Sequence, residues 1–156
     1  MQSHQSFLLK VMVEDLFEGH KQIFNVIKKI RKILDAIKSK DDMEASSKNL
    51  KFYIGYLRDI LIFHFHYEEN YGLLKKLSCL ADDCEDQSKA LCRDHFLLIK
   101  GIDEIYETNI KAGIARLDQY HCLKKQFNHF VEILKQHEQI ENKLAKDCLE
   151  RLNDKT

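Results

Sequence analysis

Ile62-Phe63-His64-Phe65-His66-Tyr67-Glu68-Glu69-Asn70-Tyr71-Gly72-Leu73 carries an imidazole and a carboxylate four residues apart, at His64 and Glu68. On a helix these two side chains leave the same face, one turn above the other, so both can reach one metal ion. The spacing returns near the end of the chain as His137 and Glu141. Polar pairs at this interval are common on wet helix faces. Only on a dry face do they point to a site.

Around this stretch the chain divides into four helical segments, roughly residues 7–38, 46–80, 87–111 and 116–152 by their apolar spacing. The polar residues 39–42 separate the first two, and Ser46 or Ser47 suits the second as N-cap. The acidic run 81–86 reads as a loop whose charges favour the start of the third helix, and Gly113 ends that helix. Short connections between long helices imply antiparallel neighbours. The expected fold is all-α, an up-down-up-down four-helix bundle in one domain spanning residues 1–156.

Composition agrees. There are no prolines and only 5 glycines, with 44% apolar and 32% charged residues. Helix breakers and turn chemistry are both scarce. Lys+Arg and Asp+Glu balance at 25 each, so no basic field marks a nucleic-acid partner. No apolar run approaches the roughly 20 residues of a membrane span, and the polar Met1-Gln2-Ser3-His4-Gln5-Ser6 lacks the pattern of a signal peptide. Cys79, Cys84, Cys92, Cys122 and Cys148 are odd in number and form no CxxC pair. They read as reduced thiols of a cytoplasmic protein.

Each segment carries one apolar seam in alternating steps of four and three. The seams run Leu16, His20, Ile23, Ile27, Ile30, Leu34, Ile37; Leu50, Ile54, Leu57, Leu61, His64, Glu68, Tyr71; Leu91, His95, Leu98, Ile102, Ile105; and Leu123, Phe127, Phe130, Leu134, His137, Glu141, Leu144, Cys148. Six of these 27 positions hold His or Glu, and none holds Lys, Arg, Gln, Asn, Ser or Thr. Burying four imidazoles and two carboxylates unpaired costs several kcal/mol each, and a metal centre is the simplest compensation. Their heights agree as well. His20 and His95 lie roughly ten residues from their helix starts and His64 and His137 roughly fifteen from their helix ends, which at about 1.5 Å per residue is one layer of an antiparallel bundle. The arrangement repeats: His20 precedes His64-x-x-x-Glu68 by 44 residues, and His95 precedes His137-x-x-x-Glu141 by 42. Two halves alike suggest two metals bridged by two carboxylates.

These residues resemble the hemerythrin-like (HHE cation-binding) family. The matching pieces are Phe17-Glu18-Gly19-His20-Lys21-Gln22-Ile23, His64-Phe65-His66-Tyr67-Glu68-Glu69, His95, and Leu134-Lys135-Gln136-His137-Glu138-Gln139-Ile140-Glu141-Asn142, spread over nearly the whole chain. The resemblance implies a non-haem centre of two Fe ions with an oxo or hydroxo bridge. His20, His64, His95 and His137 would be terminal ligands and Glu68 and Glu141 bridges. It departs from the oxygen carriers at two positions: Leu91 stands where they usually have a third-helix His, and Asn142 where they usually have Asp. The ligand set looks more like the subgroup associated with iron–sulfur centre repair and nitric-oxide stress, without the cysteine-bearing N-terminal domain that often accompanies it.

Two six-coordinate irons offer about twelve positions, and these ligands with a single-atom bridge leave about two open. Leu91, Ile23, Ile102 and Leu134 would wall them with hydrocarbon, which suits a small diatomic ligand. Four imidazoles fit Ca2+ or Mg2+ poorly; Fe comes first, with Mn and Zn behind it. The remaining candidates read plainly. His4, His66, His121 and His129 are expected off the site, with His66 at the surface or rim. Glu69 and Glu138 are expected to be solvated or to support the ligands. Tyr71 is expected to pack on the seam with a hydrogen bond, Phe63, Phe65, Phe127 and Phe130 to fill the core, and Cys148 to be buried. Gly19 suggests a close helix approach. The expected function is binding or turnover of O2, NO or peroxide, or donation of iron, with an electron-transfer protein as a further partner. The alternatives are a reversible oxygen carrier, store or sensor, and a metal-free helical interaction module.

Overall fold

The computed structural model describes residues 2–77 and 82–153, with side chains left aside at 2, 3, 5, 6, 77, 82–84, 152 and 153. Its described elements are all helical: α1 (Gln2–Ala36), α2 (Lys40–Asn70), a single-turn α3 (Leu73–Leu77), α4 (Asp82–Ile105) continued by a π-helical turn (Tyr106–Lys111), and α5 (Leu117–Asn153). Four long helices form the bundle. Contact positions rise along one helix as they fall along its neighbour. On α1 and α5, His20 meets Asn142, Arg31 meets Asn128 and Asp35 meets Lys124. On α2 and α4, Arg58 pairs with Asp103 and Glu69 with His95. On α4 and α5, His95 meets Glu141 and Asn109 meets Gln126. These neighbours run antiparallel.

Several boundaries differ from the sequence expectation, each for a local reason. α2 begins six residues before Ser46, at Lys40, because Ser39 is its cap. The Ser39 hydroxyl accepts the Asp42 N–H at 3.2 Å, and the Asp42 carboxylate accepts the N–H groups of Ser39 and Lys38 at 2.9 Å each. This capping box, with Asp41 and Asp42 in the first turn, satisfies both the free donors and the helix dipole. Ser47 lies inside the helix and donates to the Glu44 carbonyl instead. The second helix was expected to continue to about residue 80, but α2 stops at Asn70. There the Asn70 amide takes the His66 carbonyl at 2.9 Å, and Tyr71 and Gly72 both donate to the Tyr67 carbonyl. The acidic run expected as a loop begins α4 at Asp82, so Glu85 and Asp86 lie in its opening turns, where carboxylates complement the dipole.

At its far end α4 widens into a π turn. Thr108 and Asn109 donate side-chain hydrogen bonds to the Glu104 and Ile105 carbonyls, in competition with the regular ladder. Gly113, at φ 82, then reverses the chain, and the Gln119 side chain accepts the Ala115 and Arg116 N–H groups ahead of α5.

The seams are buried as read, except at His64, which is half-buried, and at Tyr71. Tyr71 is 66% exposed, because the chain leaves the helix at that residue. Phe63, expected in the core, is 73% exposed, since it follows the outward face of α2; Phe65, Phe127 and Phe130 are buried. Cys79 lies outside the described residues, as does the side chain of Cys84. Cys148 is buried as expected.

The core is split in two. A larger cluster runs from Ile23 to Ile37 on α1, with Leu50 to Phe65, Leu98 to Ile105 and Leu123 to Leu134. A smaller one joins Leu9, Val13 and Leu16 to Leu73 and Leu74 of α3, Leu91, Leu144, Ala145 and Cys148. Polar seam residues of every long helix fall at the join: His20 between Leu16 and Ile23, Glu68 between Phe65 and Leu73 of α3, His95 between Leu91 and Leu98, and His137 and Glu141 between Leu134 and Leu144, while His64 stands at the edge of the larger cluster between Leu61 and Phe65. Leu91 therefore packs in the smaller cluster, one turn from His95.

Candidate metal centre

The structure brings all six expected residues into that one layer, 121 sequence positions apart at the extreme. His20, Glu68, His95, His137 and Glu141 are buried, and the His64 side chain is 10% exposed. Ligand-type atoms of His20, His64, Glu68 and Glu141 all lie within 4.8 Å of one another, as do those of His95, His137 and Glu141. These residues could hold a metal ion.

The orientation of the two carboxylates organises the layer. Glu68 Oε1 lies 2.8 Å from His64 Nε2 and 3.8 Å from His20 Nε2, while its Oε2 lies 3.3 Å from His95 Nε2. Glu141 Oε2 lies 3.0 Å from His20 Nε2, while its Oε1 lies 3.0 Å from both His95 Nε2 and His137 Nε2. Each carboxylate thus turns one oxygen to the His20–His64 pair and the other to the His95 side. Proximity alone does not satisfy these atoms. His64 Nε2, His137 Nε2 and both Glu68 oxygens are buried without a well-aligned hydrogen-bond partner among the described residues. Close contact without alignment is what donor atoms converging on a common point produce, and buried polar atoms normally find partners.

Outer contacts aim the rings. His20 Nδ1 lies 3.0 Å from Asn142 Oδ1 and His95 Nδ1 lies 2.9 Å from Glu69 Oε1, whereas His137 Nδ1, 3.6 Å from Asp94 Oδ2, has no hydrogen-bond partner among the described residues. An acceptor on Nδ1 keeps the proton there and leaves the Nε2 lone pair facing inward, the arrangement metal-bound histidines use. Phe65 stacks on the His95 ring at 3.9 Å between centroids, and its ring also lies edge-on to His137 at 5.7 Å. Gly19 lets His64 in: a Cβ at that position would stand 2.6 Å from His64 Nδ1. The suspected close approach of α1 and α2 is real.

The protein's own charges do not settle this layer. Burial, reinforced by the neighbouring Glu141 charge, pushes the Glu68 carboxyl up to about 9. Burial pushes His64 down to about 4. Against burial, the surrounding imidazoles hold Glu141 well below the usual carboxylate range, and Glu141 holds His137 above its ordinary value. Two carboxylates side by side are thus driven apart, one ionised and one not. A cation between them would favour the ionised form of both and the neutral form of the imidazoles.

Sequence reasoning missed some of the supporting residues. Asp94 carried no signal, and Asn142 was noticed only as a departure from a pattern. Glu69 faces His95 and keeps its side chain 36% exposed. Glu138 is buried, not solvated, and burial pushes its carboxyl up to about 8. His4, His66, His121 and His129 are exposed, as expected. His129 lines a cavity of about 660 Å3 between α4 and α5, walled by Leu97, Leu98, Phe130, Ile133 and Ile140 and reaching His137. No described helix is long and apolar enough to cross a membrane. No family model matches the chain, and neither a curated protein nor a solved structure matches it.

Proposed function

We propose that the layer holds a pair of iron ions, with His20 and His64 on one, His95 and His137 on the other, and Glu68 and Glu141 bridging them. The protein would bind or turn over a small ligand such as O2, NO or peroxide, or yield iron, and would draw electrons from a separate protein. The observation that carries this reading is the split of each carboxylate between the two histidine pairs. A single ion would need the oxygens to converge; two ions need them to diverge.

The donor set supports iron, with manganese and zinc behind it, since imidazole suits these ions better than calcium or magnesium. Bound there, paired iron supplies one-electron redox chemistry at each ion and open positions for a small ligand. The chain's own residues do the rest. Asn142 and Glu69 hold two of the rings in place through Nδ1, with the Asp94 carboxylate near a third. Phe65 and the apolar clusters on either side keep bulk water out, and the cavity between α4 and α5 offers a hydrocarbon-lined approach for an apolar molecule. The resemblance to hemerythrin-like proteins points the same way.

Metal analysis with an optical spectrum, on protein loaded with Fe(II) without air and then exposed to O2, tests this. Two irons per chain that oxidise promptly to the ferric form favour redox chemistry, NO handling or iron donation. Two irons with a visible band that appears with O2 and disappears on its removal mean reversible carriage instead. No bound metal ends the reading and leaves a helical interaction module. Glu68→Ala separates the bridging role from the rest: loss of metal is expected, and two irons retained per chain would sink it.

A further inference from the structure

Among the described residues, Glu138 is the one buried carboxylate that the six-residue centre leaves unexplained. It is 2% exposed, and neither of its oxygens has a hydrogen-bond partner among the described residues. It lies on α5 one turn before Glu141, which places the two on adjoining parts of one helix face. Asn142, one turn further along α5, meets His20 at 3.0 Å, which sets this face of α5 toward α1, and the charges that act on Glu138 are those of His20, Glu141 and Glu68, all members of the layer. Its oxygens stand outside both close ligand groups. An acceptor pair shut away from water with nothing to accept from is costly, most of all when charged. Of the groups whose charge acts on Glu138, one is an imidazole committed elsewhere by both ring nitrogens and two are carboxylates.

Resting on the proposed iron pair, we propose that Glu138 is the third carboxylate of the centre, a counter-charge on the His20 side that the two bridging carboxylates do not supply. Two divalent ions bring more positive charge into this layer than Glu68 and Glu141 cancel, and a buried excess of charge is poorly tolerated. Glu138 answers that excess without displacing either bridge. It acts on the metal through the field it imposes, as a positioning residue.

The test compares wild type with Glu138→Gln and Glu138→Asp, each as the full chain loaded with Fe(II) without air. Affinity is read by competition with a coloured chelator, and the reduction potential of the loaded protein is read alongside. Glu138→Gln keeps the shape and removes the charge. It is expected to weaken Fe(II) binding at least about tenfold, as loss of an outer partner typically does, and to raise the potential, since the ferric state loses a neighbouring anion. Glu138→Asp is expected to keep most of the affinity. Metal-free Glu138→Gln should melt no lower than metal-free wild type, which excludes misfolding as the cause; should it fail to fold, Glu138→Leu takes its place. Wild-type affinity and potential in the uncharged variant would overturn the role of Glu138 while leaving the iron pair intact. Failure of wild type itself to bind Fe(II) would overturn both.

Discussion

A hydrogen in place of a methyl group decides where His64 can lie. A Cβ at Gly19 would stand 2.6 Å from His64 Nδ1 and 2.7 Å from Cε1, closer than any real contact. The ring is wedged between α1 and its own α2, and its edge meets the His20 ring with centroids 5.1 Å apart. Alanine is the better helix former by up to about 1 kcal/mol. Gly19→Ala is therefore expected to leave the metal-free helix intact, push the imidazole off its aim, and weaken Fe(II) binding at least about tenfold. Chelator competition beside a thermal melt reads both effects; unchanged affinity would mean that His64 does not bind from this position. The rings' outer partners show where residue-scale reading ends. His64 and Glu68 reveal themselves by a spacing of four, but Asn142 reaches His20 across 122 positions. No local pattern encodes such a contact.

Among the elements, α2 depends most on one end. Two serines at 46 and 47 look like caps, yet Ser39 and Asp42 close the reciprocal pair that ends the chain's freedom earlier. Ser39→Ala is expected to cost about 1 kcal/mol, the usual loss for a cap, in a urea titration. It should leave metal content unchanged, because the cap lies at the far end of the bundle from Glu68. A drop in metal content would tie the cap to the site, against this account. At its other end α2 breaks at Tyr71 and Gly72 so that α3 can fold across the smaller cluster, with Leu73 and Leu74 buried. That break was not legible, since apolar spacing continues through it; the competing Asn70 side chain settles it. The seams themselves were legible, because helical periodicity is a local property of the chain.

At the scale of the molecule, a polar layer divides two apolar clusters, and the stability of the whole responds to pH through it. Burial and the Glu141 charge raise the Glu68 carboxyl to about 9, burial raises Glu138 to about 8, and His137 sits above its ordinary value, against burial, through Glu141. For each of these groups the folded state holds its proton more tightly than the unfolded chain. Stability is then lost as pH climbs through the raised values. His64, pushed down by burial to about 4, works in the opposite sense but only below about pH 6.5. Chelator-treated protein is expected to melt at progressively lower temperature between pH 6.5 and about 9. Iron loading should flatten the trend, since cations compete with those protons. A melt that stays level without metal would show the carboxyls to be better solvated than their burial implies.

The amino-acid sequence by itself determined the class of fold, the four seams and the six polar residues that interrupt them. Those follow from local rules: a period of 3.6 residues, scarce breakers, and the cost of burying His and Glu. Only the tertiary structure decided how Glu68 and Glu141 divide their oxygens between two histidine pairs, which partners hold the Nδ1 atoms, and that Glu138 is dry. Each of those is set by distances between helices that are far apart along the chain. Side-chain orientation across a packed interface depends on every neighbour at once, and no spacing within one helix records it.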